Sequence, residues 1–240
     1  MLKFAEERPG FPMPRRVLRA YQAFNRFLLV DDMEGVKIVT IRRPQAMNAL
    51  NDEVSAELIG VFEQYIRDPE VKGFVVTGYG KGAFSAGADI GNLSGMLGDP
   101  DASARYARAC ARVQCFMDQM NKPVVAALNG PALGGGLELA IRCHSIVALE
   151  DALLQFPESS MGILPGIGGC TVPYRRWPQG AHDFNEMILL GKPLSAADAV
   201  DIGIVDKMAD NYELLILQAA AMVRVIQDQL PRITEGPVDI

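Results

Sequence analysis

Apolar and polar positions along the chain alternate between short β-prone runs and helical repeats. Phe27–Asp31 and Val36–Arg42 are β-prone, and Glu34-Gly35 between them predicts a hairpin. Apolar positions then recur at helical spacing at Val54, Leu58, Val61, Phe62 and Tyr65; Asn51 can cap that helix and Asp68-Pro69 stops it. A strand over Gly73–Thr77 follows, then a helical segment near Ala102–Met120, an apolar strand Val124–Leu128, a glycine turn and a helix from about Leu137 to Cys143. Ser145–Leu149 and Leu153–Phe156 read as two further strands, Gly162–Gly169 as a loop, and Asp183–Leu190 as a helix closed by Gly191. Ser195 caps a short helix. The last helix, Tyr212–Gln227, is apolar nearly all the way round over Leu214–Ile226, which predicts burial, between subunits if not within one.

Strands alternating with helices predict an α/β fold, with sheets covered by helices and functional groups on loops at strand ends. Residues 1–26 read as an N-terminal arm or linker, with Pro9, Pro12 and Pro14 followed by the basic cluster Arg15, Arg16 and Arg19. Residues 27–208 read as one core domain, and 209–240 as a short C-terminal helical segment.

Composition narrows the function classes. With 240 residues, 49% apolar and 22% charged, the chain can bury one substantial core. A net charge of −6 offers no general attraction for phosphate backbones, so nucleic acid is not an expected partner and an anionic ligand must be held by local groups. Cys110, Cys115, Cys143 and Cys170 contain no C-x-x-C pair, and with His144 and His182 alone beside them no metal site is expected; buried, reduced thiols are. The charged, proline-containing N-terminus has no signal-peptide core, and Gln218 and Arg224 interrupt the most apolar stretch, so neither export nor a membrane span is expected and the compartment reads as cytoplasmic.

Two glycine-rich segments carry the candidate chemistry. Gly82–Ile90 follows a strand and is built from small side chains, which lets a ligand approach the backbone. Asn129–Glu138 leads from a strand through Gly134-Gly135-Gly136 into a helix N-terminus, where unpaired N–H groups favour negative charge. Either alone reads equally as a structural turn. Two amides converging from separate loops would stabilise charge on a thioester carbonyl oxygen, by about 2.7–4 kcal/mol for one donor in measured cases. Glu138 and Glu158, each by itself compatible with a solvated surface, would differ in acidity if the fold brought them together, because mutual repulsion and burial raise one of the two.

These segments resemble the crotonase, or enoyl-CoA hydratase, superfamily from Val30 to Met208. The matching stretches are Arg43–Leu50, Ala83–Ile90, Asn129–Glu138, Pro157-Glu158, Pro165–Gly169, and Leu190-Gly191 with Leu194–Ala196. The resemblance implies a crotonase-like spiral of repeated ββα units ending in a truncated helical C-terminal region, and an acyl-CoA thioester as substrate, with no cofactor other than the coenzyme A of that substrate. It implies that the amides of Ala88 and Gly135 form an oxyanion hole, that Ala86, Asp89 and Ile90 border coenzyme A, that Gly134 and Gly166 line the site, and that Glu138 and Glu158 are the two hydratase carboxylates. A homotrimer or dimer of trimers is implied too. Against the family pattern, the arm before Phe27 is extra and the helices that commonly follow Tyr212–Gln227 are largely missing, which leaves room for a neighbouring domain or subunit in a larger acyl-CoA enzyme. His144 stands where an acidic residue often follows the cysteine, and reads as structural. Enoyl-CoA isomerase, acyl-CoA hydrolase and a non-catalytic CoA-binding scaffold remain alternatives. The G-x-S-x-G-like Ala83–Gly87 lacks a placed histidine and acid for an α/β-hydrolase.

Overall fold

In the computed structural model, which describes residues 26–89, 99–228 and 230, the first two β-prone runs form strands β1 (Leu28–Met33) and β2 (Val36–Ile41), paired antiparallel with Met33 opposite Val36. Glu34 and Gly35 both have positive φ (52° and 87°), as a two-residue hairpin loop requires, and a Cβ on Gly35 would lie 2.5 Å from Glu70 O. Helix α1 (Asp52–Tyr65) is capped by Asn51, whose side chain accepts from Val54 N at 2.9 Å.

The remaining elements run β3 (Gly73–Gly78), α2 (Pro100–Met117), β4 (Val124–Leu128), β5 (Ala132–Leu133), α3 (Gly135–Ala140), β6 (Ser145–Leu149) and β7 (Leu153–Gln155). Then come α4 (Val172–Arg176), α5 (Ala181–Leu190), β8 (Leu194–Ser195), α6 (Ala196–Asp201), β9 (Lys207–Ala209) and α7 (Tyr212–Ile226). A six-stranded sheet has the order β1-β2-β3-β4-β6-β9, parallel from β2 onward, and a small sheet has the order β5-β7-β8. Each winding therefore lays one strand in the large sheet and a short one in the small sheet before turning into a helix: β4, β5 and α3 make one such unit. Ser85 bridges to Ala132 in parallel, so the segment after β3 joins the small sheet in the same way. This is the repeated ββα winding that the family resemblance implies.

The period of two along β2 divides its side chains between two cores. Val39 and Ile41 join the main core with Phe62, Phe74, Leu128, Leu137 and Phe156, whereas Val36 and Ile38 face α7 with Val75, Val125 and Val147. Helix α7 covers that second face with Leu215, Ile216, Ala219, Ala220 and Val223, and burial of each such leucine, isoleucine or valine contributes roughly 1.5–3 kcal/mol. Leu217 and Val225, on the opposite face, are 47% and 74% exposed in the single chain, so of the burial expected for this helix the chain itself supplies one face. A single sheet can cover only one face of a helix.

Other differences are local. The helix expected from Leu137 begins at Gly135, because a glycine run can enter a helix once its first amides need no intrahelical partner. Short elements β5, β8, β9 and α4 were not expected; two- to five-residue segments carry too few positions to show a period. Cys143 is buried and its thiol is pushed up to about 12 by burial, but Cys115 is exposed and Cys170 partly so, which corrects the expectation of buried thiols. His144 is structural as expected: its Nδ1 accepts from Val124 N at 3.0 Å. Among the described residues no helix is long and apolar enough to cross a membrane. The arm expected over residues 1–26 lies, but for Arg26, outside the described residues.

Candidate active site

Parallel pairing of β5 with β7 sets Leu133 beside Gln155, and Gly134 N donates to Gln155 O at 2.9 Å. From that shared point one chain continues into α3, carrying Glu138 in its first turn, and the other into a 3₁₀ turn, Pro157–Met161, carrying Glu158. Both glutamates are buried, with only 2% and 7% of their surfaces exposed. Residues 20 apart in sequence thus become electrostatic neighbours.

The two carboxyl groups are held differently. Glu138 Oε1 accepts two backbone N–H bonds, from Ile167 at 2.8 Å and Gly169 at 2.9 Å. Burial raises its pKa from the usual carboxylate range, while these two amides and the Arg142 guanidinium pull against that rise. Glu158 is pushed up to about 7, chiefly by burial and further by the charge of Glu138, against which only its own backbone N–H acts. Its Oε2 has no hydrogen-bond partner among the described residues. Of the pair, Glu158 is the group more easily protonated near neutrality.

Two backbone amides lie on the segments that meet at Gly134, the residue against which Glu158 rests. The segment around Ala88 bridges to Leu50 through Leu50 N to Gly87 O at 2.7 Å and Asp89 N to Leu50 O at 3.0 Å. That parallel pattern leaves the N–H of Ala88 itself facing away from Leu50. Gly135 is the first residue of α3, so its N–H has no intrahelical acceptor. The two segments pass close to each other: a Cβ on Gly135 would lie 3.5 Å from Ala88 N, and one on Gly87 would lie 2.6 Å from Leu133 O and 2.9 Å from Gly135 N. Gly87, at φ 85°, is therefore the position that permits this approach.

Of the other residues singled out in the sequence, Gly134 lies directly under Glu158, where a Cβ would come within 2.6 Å of Oε1. Ala86 is half-buried and its N–H donates to Met47 O at 2.9 Å. The Asp89 carboxylate is paired with Arg43 at 2.7 Å, and Arg43 also donates to Ala49 O at 2.8 Å. Gly166 is exposed, and a Cβ there would meet only Leu164 O at 4.0 Å. Ile90 lies outside the described residues.

The structure adds residues that the sequence did not single out. Asn129 Oδ1 accepts from Gly78 N at 2.9 Å and Thr77 Oγ1 at 3.2 Å, and its Nδ2 donates to Gly80 O at 2.8 Å, tying the ends of β3 and β4 together. Cys170 feels the charge of both glutamates, which adds to burial in raising its thiol, and Sγ lies 3.4 Å from Pro165 O. Asn129 carried a signal, since it heads the glycine-rich segment; nothing local distinguished Cys170.

Comparison with known proteins places the chain in a family. Residues 31–234 match the family described as enoyl-CoA hydratase/isomerase. A probable enoyl-CoA hydratase of Bacillus subtilis is 36% identical over 202 residues, covering 82% of this chain and 74% of that protein. The fatty acid oxidation complex subunit alpha of Idiomarina loihiensis is 38% identical over 187 residues, which are 76% of this chain but 26% of that longer protein. The crystal structure of an enoyl-CoA hydratase subunit from Geobacillus kaustophilus superposes with a TM-score of 0.75 at 32% identity, covering 85% of this chain and 77% of that one. The chain belongs to the enoyl-CoA hydratase/isomerase family and has the crotonase fold, close to the enoyl-CoA hydratases.

Proposed function

We propose that the chain is an enoyl-CoA hydratase that adds water reversibly across the 2,3 double bond of a trans-2-enoyl-CoA, giving the 3-hydroxyacyl-CoA. The observation that carries this reading is the pair of buried glutamates treated unequally, one gripped by two amides and the other with a carboxyl oxygen free, with two further amides on the segments that meet at Gly134.

In this mechanism Ala88 and Gly135 donate their N–H groups to the thioester oxygen, on which charge gathers as the double bond is attacked. Glu138 and Glu158 hold one water between them. Glu138 takes a proton from that water while the water oxygen bonds to the β-carbon, and Glu158 gives a proton to the α-carbon. One O–H bond of the water and the π bond between the α- and β-carbons are broken, and one C–O and one C–H bond are formed. Glu138 gains one proton as Glu158 loses one, and the acidity order of the two carboxyls fits the direction of both transfers. Dehydration is the reverse path. Ala86, Asp89 and Ile90 border the coenzyme A portion, with Asp89 held by Arg43, and Gly134 and Gly166 leave room at the reacting end. No cofactor beyond the substrate's own coenzyme A takes part.

We take the assembly to be a homotrimer or a dimer of trimers in the cytoplasm; exposed Leu164, Leu189 and Leu190 supply apolar surface for contacts between copies. Sedimentation of the purified chain tests the assembly.

The reaction is tested with crotonyl-CoA by following loss of the conjugated enoyl-thioester absorbance. Rapid loss in the wild type, greatly slowed in both Glu138→Gln and Glu158→Gln, is the expected result. Movement of the double bond in a longer 3-enoyl-CoA without water uptake would make the protein an isomerase instead, and binding without turnover would make it a scaffold.

A further inference from the structure

At the Glu138 carboxylate the segment Ile167–Gly169 turns through Gly168 at φ 128°. The amides on both sides of Gly168 are the two that donate to Glu138 Oε1. The space a side chain would occupy at Gly168 is filled from elsewhere: a Cβ there would lie 3.0 Å from Arg142 Nη2 and 3.3 Å from Arg142 Nε. Arg142 stands four residues after Glu138, just past the end of α3, and its Nη1 is paired with the Asp118 carboxylate beyond the end of α2. One guanidinium thus spans from α2 to the backbone that grips Glu138.

We propose that Arg142 is a positioning residue for Glu138, bracing the 167–169 backbone against α2 and keeping Glu138 the proton acceptor of the glutamate pair. This rests on the hydratase reading above. An arginine suits the task better than a lysine, because its planar guanidinium pairs with the Asp118 carboxylate through Nη1 while its Nε and Nη2 edge, whose Nε has no hydrogen-bond partner among the described residues, packs against Gly168. The charged and titratable groups packed around the two residues are Glu158 from the 3₁₀ turn, Cys170 from the loop before α4, Arg176 from α4 and Asp118 beyond α2. Among them, Arg142 is the cation that pulls the Glu138 pKa down, and the charge of Glu138 in turn raises Glu158 and Cys170.

The test compares wild type with Arg142→Met, which keeps much of the apolar stem without the charge or the fork, and with Arg142→Lys, which restores the charge alone. In the pH profile of kcat/KM for crotonyl-CoA, the acid limb of Arg142→Met is expected to move to higher pH, whereas Arg142→Lys keeps the limb near wild type with a lower maximum. A profile for Arg142→Met that equals the wild-type curve scaled by one constant factor would overturn the proposal. Should Arg142→Met not yield folded protein, Arg142→Gln, which retains an amide donor for Asp118, carries the same expectation. The Glu138 carboxyl is also titrated directly by ¹³C NMR of protein labelled at the glutamate carboxyl carbon, assigned with Glu138→Gln. A midpoint that rises in the neutral variant supports the proposal even if wild type fails to hydrate crotonyl-CoA, which would sink only the reaction; superimposed titrations refute the role of Arg142 whatever the reaction.

Discussion

Glu158 rests its Oε1 on Gly134, in the space that any side chain at 134 would occupy, with 2.6 Å between that oxygen and the position of a Cβ. The contact ties the more easily protonated carboxyl to the residue that immediately precedes Gly135. Replacement of Gly134 by alanine therefore acts on the site before it acts on the fold, because the displaced atom is the end of a side chain and not backbone. The φ of 49° with ψ of −124° adds strain of about 1–2 kcal/mol for a residue bearing a Cβ. Gly134→Ala is expected to lose that much stability in urea denaturation and to lose turnover by about tenfold or more. Turnover equal to wild type would show that Glu158 does not need this seat.

Glu158 also links stability to pH. Its pKa in the folded chain, raised to about 7 from an ordinary 4.5, means that the folded state binds a proton more tightly than the unfolded state. Stability then falls as pH rises between about 4.5 and about 7, by on the order of a few kcal/mol, and the loss is complete above that range. The Glu138 shift is raised too and has the same sign. Denaturation midpoints measured from pH 5 to pH 8 are expected to decline, and Glu158→Gln to flatten the decline in part. A wild-type midpoint that rises across this window would contradict the environment described for Glu158.

Activity should follow the same group. With Glu158 as the proton donor, hydration of crotonyl-CoA loses rate as the pH passes above about 7, and Glu158→Gln lowers kcat by about a hundredfold or more while the protein stays folded. Retained turnover in that variant would remove Glu158 from the chemistry.

The N–H of Ala88 can be deleted with little damage to the backbone network. Its neighbours Gly87 and Asp89 supply the bonds to Leu50, so proline at position 88 removes a donor that this pairing does not use. Ala88→Pro is expected to abolish hydration and keep its far-ultraviolet circular dichroism. Full activity would exclude the Ala88 amide from the oxyanion hole.

Asn129 holds the ends of two strands together through Gly78, Thr77 and Gly80. Asn129→Ala strands those buried groups and is expected to cost about 2–4 kcal/mol in urea denaturation. A cost below about 0.5 kcal/mol would mean that water or a shifted backbone replaces the amide.

Much of the fold was legible along the chain because its cues are local. Asn51 capping α1, Gly191 closing α5 at φ 66° and the Glu34-Gly35 hairpin each depend on residues within a turn of one another. The two-core division was not legible: β2 and β4 are apolar on both faces, and only the position of α7 decides which face is which. The apolar sequence of α7 likewise did not show which of its faces the sheet covers, and Leu217 and Val225 lie on the other one.

Residue type and order drew attention to the two glycine-rich segments and to Glu138 and Glu158, because helix entry, glycine runs and short loops are written in adjacent residues, while the roles of Ala88, Gly135 and the two glutamates came from the family resemblance. What the chain order could not supply was their relation in space. That was decided by the parallel pairing of Leu133 with Gln155 and by the close pass at Gly87, contacts between segments tens of residues apart. Only there do burial and a neighbouring charge act on Glu158, and only there does Arg142 reach the backbone that grips Glu138. Neither effect exists until the sheets have closed, since desolvation and Coulomb attraction depend on distance in space rather than along the sequence.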